Sequence, residues 1–138
     1  MGLERFRAAQ APMRARVEAE LAAGRKTSHW MWFVFPQIPG LSQSEMGRRF
    51  AIRDPKEGRD YLADRDLGGW LRHTTGLVLG HRDKTAHAIF GAPDDAKFRS
   101  SMTLFAGLAG DGETVFGEAL GAFFEAPCPA TQAWFAAA

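Results

Sequence analysis

Lys26-Thr27-Ser28-His29-Trp30-Met31-Trp32-Phe33-Val34-Phe35-Pro36-Gln37 is the stretch on which the reading of the fold turns. It gathers two of the chain's four tryptophans, two phenylalanines and a methionine directly after a cation, two hydroxyls and an imidazole. Leaving such a run in water forfeits roughly 25 cal/mol for each Å² of apolar surface, so it belongs inside. Polar groups drawn in beside it need partners or a task. Its aromatic content suits a strand, and periodicity alone does not separate a short buried strand from a short buried helix. The rest of the chain decides. No other segment alternates with period two, and a strand without a partner leaves its backbone groups unpaired. The spacing therefore predicts a short helix, capped by Ser28 and stopped before Pro36.

Working outward, the flanks read as helices. Leu3, Phe6, Gln10, Met13, Val17 and Leu21 recur at three and four, and Pro12 splits them into helices near 3–10 and 12–23. Gly24 ends the second, with Arg25 and Lys26 near its negative end. Ser42-Gln43-Ser44-Glu45 is a capping-box pattern ahead of Met46 and Phe50. Asp54-Pro55-Lys56-Glu57 starts another helix, with Tyr61 and Leu62 facing inward. Asp66 is the expected cap of a helix carrying Leu67, Trp70, Leu71, Leu77 and Val78 to Gly80. Thr85–Phe90 gives a turn or two of helix closed by Gly91. Pro93-Asp94-Asp95 heads a helix striped by Phe98, Met102, Phe105 and Leu108. Val115, Phe116, Leu120 and Phe123 mark one more, and Thr131–Phe135 a last turn. The expectation is an all-α fold of eight or nine short helices in a single compact domain over residues 1–138.

Composition narrows the classes. With 46% hydrophobic residues in 138, the chain can bury a core without metals or disulfides. The one cysteine, Cys128, allows no internal disulfide, and with no signal segment in Leu3–Met13 a reducing cytoplasm is expected. No apolar run approaches the roughly 20 residues of a membrane span, so no membrane is expected. Seventeen Lys+Arg against sixteen Asp+Glu leave a charge of +1, which argues against nucleic acid as a partner. The Arg48, Arg49, Arg53 group is local and flanked by Glu45, Asp54 and Glu57. His73, His81 and His87 lack zinc spacing, so no metal is expected. No nucleophile elbow, Walker A or Rossmann glycine pattern occurs, and no cofactor is expected.

Arg5-Phe6, Ala9-Gln10, Gly24-Arg25-Lys26, Ser28 through Gln37, Ile89-Phe90-Gly91, Pro93-Asp94-Asp95 and Lys97 through Phe105 together resemble the domain-of-unknown-function 1810 family. Some of its members carry the label calpastatin. The resemblance spans nearly the whole chain. It implies a compact all-α fold of the α-α superhelix type, usually bacterial, and implies no activity. Arg14 stands where an aromatic is expected, Phe50 where a tyrosine is common, and Asp64-Arg65-Asp66 where His-Pro is common.

The two long motifs carry the candidate site residues. The first offers Lys26, His29, Trp30, Trp32 and Gln37; the second offers Lys97, Arg99 and Ser101. Arginine and lysine would hold phosphate, and a tryptophan would stack on a ring, so a small anionic or nucleotide-like ligand is the expected occupant. Trp30 and Trp32 lie two apart and cannot share a helix face, so at most one is free to stack. The bland reading is that Ser28, Asp94 and Asp95 serve helix ends, and that both motifs are core. The chain would then be a helical protein–protein interaction module without catalysis. No catalytic residue and no oligomeric state can be assigned from the sequence.

Overall fold

In the computed structural model, which describes residues 2–137, the Trp30 run contributes one helical turn inside an all-helical fold. The order is α1 (Glu4–Gln10), α2 (Arg14–Ala23), α3 (Met31–Val34), α4 (Glu45–Arg49), α5 (Pro55–Ala63), α6 (Arg65–Leu79), α7 (Ala86–Phe90), α8 (Asp94–Leu108), α9 (Val115–Phe123) and α10 (Pro129–Ala137). Among the described residues there is no strand, and the helices number ten where eight or nine are expected.

Local chemistry places several boundaries where the sequence puts them. Asp54 accepts from the Glu57 amide at 2.8 Å with Pro55 at the first helical position, and Ser44 accepts from Gly47 at 3.0 Å. Gly24 closes α2 at φ +74°, a left-handed conformation open to glycine. Four expectations need correction. Met13, not Pro12, precedes α2. The cap of α6 is Asp64, whose carboxylate takes the amides of Asp66 and Leu67. The last turn is the full helix α10, because Cys128 and Pro129 start it earlier. Ser28 caps nothing: its hydroxyl donates to Glu20 at 2.6 Å, and α3 opens at Trp30 with no side-chain cap.

What holds α3 is burial. Trp30, Met31, Phe33, Val34 and Phe35 are each between 0 and 6% exposed. Burying a large apolar side chain is worth about 1.5–3 kcal/mol, which meets the roughly 1–2 kcal/mol needed to order each backbone residue. Phe98 of α8 lies at the heart of the core, edge-on to Phe35 at 5.0 Å and stacked on Phe90 at 4.7 Å. On the opposite side Phe6 meets Tyr61 edge-on at 5.1 Å, and Gln10 donates to the Phe33 carbonyl and to Tyr61 Oη. Helix α8 packs on α5, α7, α9 and α10, while α6 packs on α2, α5 and α9. In contrast, α4 buries none of its own residues; Phe50 just beyond it is its anchor.

Candidate functional site

The two long motifs meet. The Lys26 amide donates to the Ile89 carbonyl at 2.8 Å, which lays the start of one motif along the start of the other. Lys26 Nζ then lies 2.7 Å from Asp94 Oδ2 and donates to the Ser28 carbonyl at 2.6 Å. Asp94, in the first turn of α8, also faces Lys97 Nζ at 3.7 Å. Each lysine stands over an indole: Lys26 at 5.0 Å from the Trp30 ring and Lys97 at 5.4 Å from Trp32. Trp30 is wholly buried and Trp32 half-buried.

Beneath this joint Glu20 of α2 gathers the turn between α2 and α3. Its carboxylate accepts from Ser28 Oγ at 2.6 Å, the Thr27 amide at 2.8 Å, and the Ser28 amide and Trp30 Nε1 at 3.0 Å each. Burial alone would push this carboxyl up. The four hydrogen bonds to the ionised form outweigh it and hold the group down at about 2.

Beside the joint a cleft of about 460 Å³ opens between α8, the loop after α3 and the start of α10. Gln37 and Gln43 line one side, Lys97, Arg99 and Ser100 the other, and Cys128 an end of α10. No carboxylate lines it among the described residues, and Arg99 makes no ion pair there. A larger cleft of about 560 Å³ lies away from both motifs, against Pro55, Leu108 and Phe135.

The candidate residues therefore divide. Gln37, Lys97 and Arg99 share the cleft, and Trp32 flanks Lys97. Lys26 is closed off by Asp94, and its side chain is 6% exposed. Trp30 is core, and His29 is exposed away from the cleft. Ser101 is a correction: it is fully buried, and its Oγ has no partner. One position along a helix turns the side chain by about 100°, so it is Ser100 that lines the cleft.

Gln43 lines the cleft without having been expected there, and so does Cys128. Its amide donates to Thr103 Oγ1 at 2.9 Å, and Ser100 Oγ lies 3.4 Å from its Sγ. Burial pushes the thiol up, but the Ser100 hydroxyl and the Ala130 and Thr131 amides outweigh it and leave the group below the ordinary thiol range. The clue was Pro129: a proline at the first helical position marks the residue before it as a helix start.

Among the described residues, no three His, Cys, Asp or Glu side chains converge to hold a metal, and no helix is long and apolar enough to cross a membrane. A family model described as "Protein of unknown function (DUF1810)" matches residues 1–134. The crystal structure of a conserved hypothetical protein from Mycobacterium tuberculosis is similar over 95% of this chain and 94% of that one, with 43% identity and a TM-score of 0.92. No curated protein matches.

Proposed function

The chain belongs to the family of unknown function DUF1810, and from that premise we propose that it binds a small anionic, nucleotide-like ligand in the Lys97–Arg99 cleft. The observation that carries this reading is the meeting of the two motifs: Gln37 from one and Lys97 and Arg99 from the other line a cleft without a carboxylate. A guanidinium and an ammonium lining one cleft suit a phosphate or carboxylate. Gln37 and Gln43 supply amide donors and acceptors, and Trp32 at the flank offers a ring face. Lys26 acts indirectly, by holding Asp94 and hence the start of α8 in place.

Thermal-shift measurements with AMP, ADP, NAD and sugar phosphates test the reading. A ligand at a hundredfold its Kd adds about 2.7 kcal/mol, a shift of several degrees at this size. The stabilisation is expected to vanish in a Lys97→Ala/Arg99→Ala variant of unchanged helicity and to persist in His29→Ala. Stabilisation that survives the double variant, or no stabilisation by any of these compounds, overturns the proposal.

A further inference from the structure

Four arginines from three segments converge on a second cleft, which shares no lining residue with the Lys97–Arg99 cleft. Arg5 of α1, Arg48 and Arg49 in the last turn of α4, and Arg53 ahead of α5 line a small cleft of about 200 Å³ together with Ala51. Arg5 is its fixed member, 5% exposed at the side chain. All five of its N–H groups are used. Nε donates to the Arg49 carbonyl and Nη2 to the Ala51 carbonyl, both at 2.8 Å; the Gly2 carbonyl takes one Nη1 hydrogen. The remaining two form a fork on Glu57 at 2.9 and 3.1 Å.

The other three guanidiniums are exposed and keep donors to spare. Arg48 gives one to the Gln43 carbonyl, Arg53 gives one to Glu57 at 3.0 Å, and Arg49 lies against the Phe50 ring and donates to nothing among the described residues. Glu57 is the one carboxylate that touches the four, among the described residues. Four guanidiniums stand here against Glu57 and the nearby Asp54, and this excess of positive charge is costly for a folded chain, since like charges in a cleft focus a positive potential. An anion between them relieves that cost. Planar forks of N–H donors match the tetrahedral oxygens of a phosphate better than a single point charge does. A cleft of about 200 Å³ has room for a phosphate head.

We propose that this arginine cleft is a second binding site, separate from the Lys97–Arg99 cleft, which takes orthophosphate or the phosphate of a phosphomonoester through Arg48, Arg49 and Arg53. Arg5 fixes the backbone carbonyls of Arg49 and Ala51 and so sets the spacing of the three.

The experiment is a heteronuclear NMR titration of the full chain, following the arginine Nε–Hε signals. Sodium phosphate and glucose 6-phosphate are added separately, against sodium chloride of equal ionic strength. Saturable shifts at Arg49 and Arg53 are expected with both phosphates. Affinity should fall at least tenfold in Arg48→Ala/Arg49→Ala and stay unchanged in Lys97→Ala/Arg99→Ala. It should weaken as pH falls through about 6, where a monoester takes up its second proton. Tighter binding of the ester identifies a phosphorylated small molecule as the occupant, and tighter binding of orthophosphate identifies the free ion; either supports the site. Shifts reproduced by chloride, affinity unchanged in the arginine variant, or loss confined to the Lys97 variant overturns it. Should the double variant melt early, Arg49→Gln alone carries the same tenfold criterion.

Discussion

Lys26 Nζ and Asp94 Oδ2 stand 2.7 Å apart, with 6% and 19% of their side chains exposed, at the point where the two long motifs join. The pair ties the turn after α2 to the first turn of α8, and its strength lies in what happens when one partner is lost. A lone charge left in a largely closed site is costly, whereas removing both charges is cheap. Lys26→Ala is expected to lower unfolding free energy by about 2–3 kcal/mol. The Lys26→Met/Asp94→Leu double variant should recover most of it. Urea denaturation at neutral pH measures both; equal losses in the single and double variants would show that the pairing itself contributes nothing.

Glu20 makes the fold acid-sensitive. Its carboxyl sits at about 2 in the folded chain against an ordinary value near 4.5. The folded state thus favours the ionised form, and the stability this adds is complete above about 4.5 and disappears as pH falls toward 2. Glu20→Gln is expected to cost about 1.5–3 kcal/mol at pH 7, the range for hydrogen bonds to a charged acceptor. The gap between the two proteins should close on acidification. Denaturation curves taken from pH 7 down to pH 2.5 check this, and a gap that stays constant contradicts it.

Much of this arrangement was legible beforehand and some was not. Helix starts driven by a side chain one to three residues ahead, as at Asp54 and Ser44, read directly, because the capping bond is local in sequence. Ser28 looked like one of these, yet its hydroxyl goes to Glu20, eight residues back, and only the fold brings that carboxylate near. Trp30 and Trp32 do divide between core and half-buried surface, but Trp30 stands just ahead of α3 at φ −144°, so helical spacing is not what separates them. Ser101 was misplaced by one residue because a helix with apolar positions on most of its faces, such as α8, gives little sign of which hydroxyl points out. Arg14 shows how a departure from the family pattern is absorbed: its guanidinium lies 4.5 Å from the Trp70 ring and pairs with Asp66.

At Gly68 the backbone of α6 comes close to that of α5. A Cβ there would stand 2.2 Å from the Leu62 carbonyl oxygen, which is backbone and cannot swing aside. Gly68→Ala is expected to destabilise by about 1–3 kcal/mol, the cost of overpacking, despite alanine's better helix propensity. Gly69→Ala, with nothing within 4 Å, serves as the matched control and should be neutral or stabilising. Thermal melts of the two variants decide it, and equal melting temperatures would count against the contact.

Cys128 combines poor access with a thiolate-favouring setting. It is 6% exposed, while the Ser100 hydroxyl and the first amides of α10 stabilise the anion. Labelling by iodoacetamide is expected to be slower in the native chain than in urea, and its rate should inflect at a lower pH than in the unfolded chain. Ser100→Ala should move that inflection upward. Rates followed by mass spectrometry between pH 6 and 10 give the answer; an inflection that does not differ between native and unfolded chains would remove the assigned role of Ser100.

Helix α4 buries none of its five residues, yet Gln43 before it lines one cleft and Arg48 and Arg49 within it line the other. Its hold on the rest of the molecule rests on Phe50, on the Arg5 bond to the Arg49 carbonyl and on the Ile52 amide paired with Gln37. Local opening costs least where least apolar surface must be exposed. The wall common to both clefts is therefore the segment that contributes least apolar surface of its own, and it is tied to the aromatic core through Phe50.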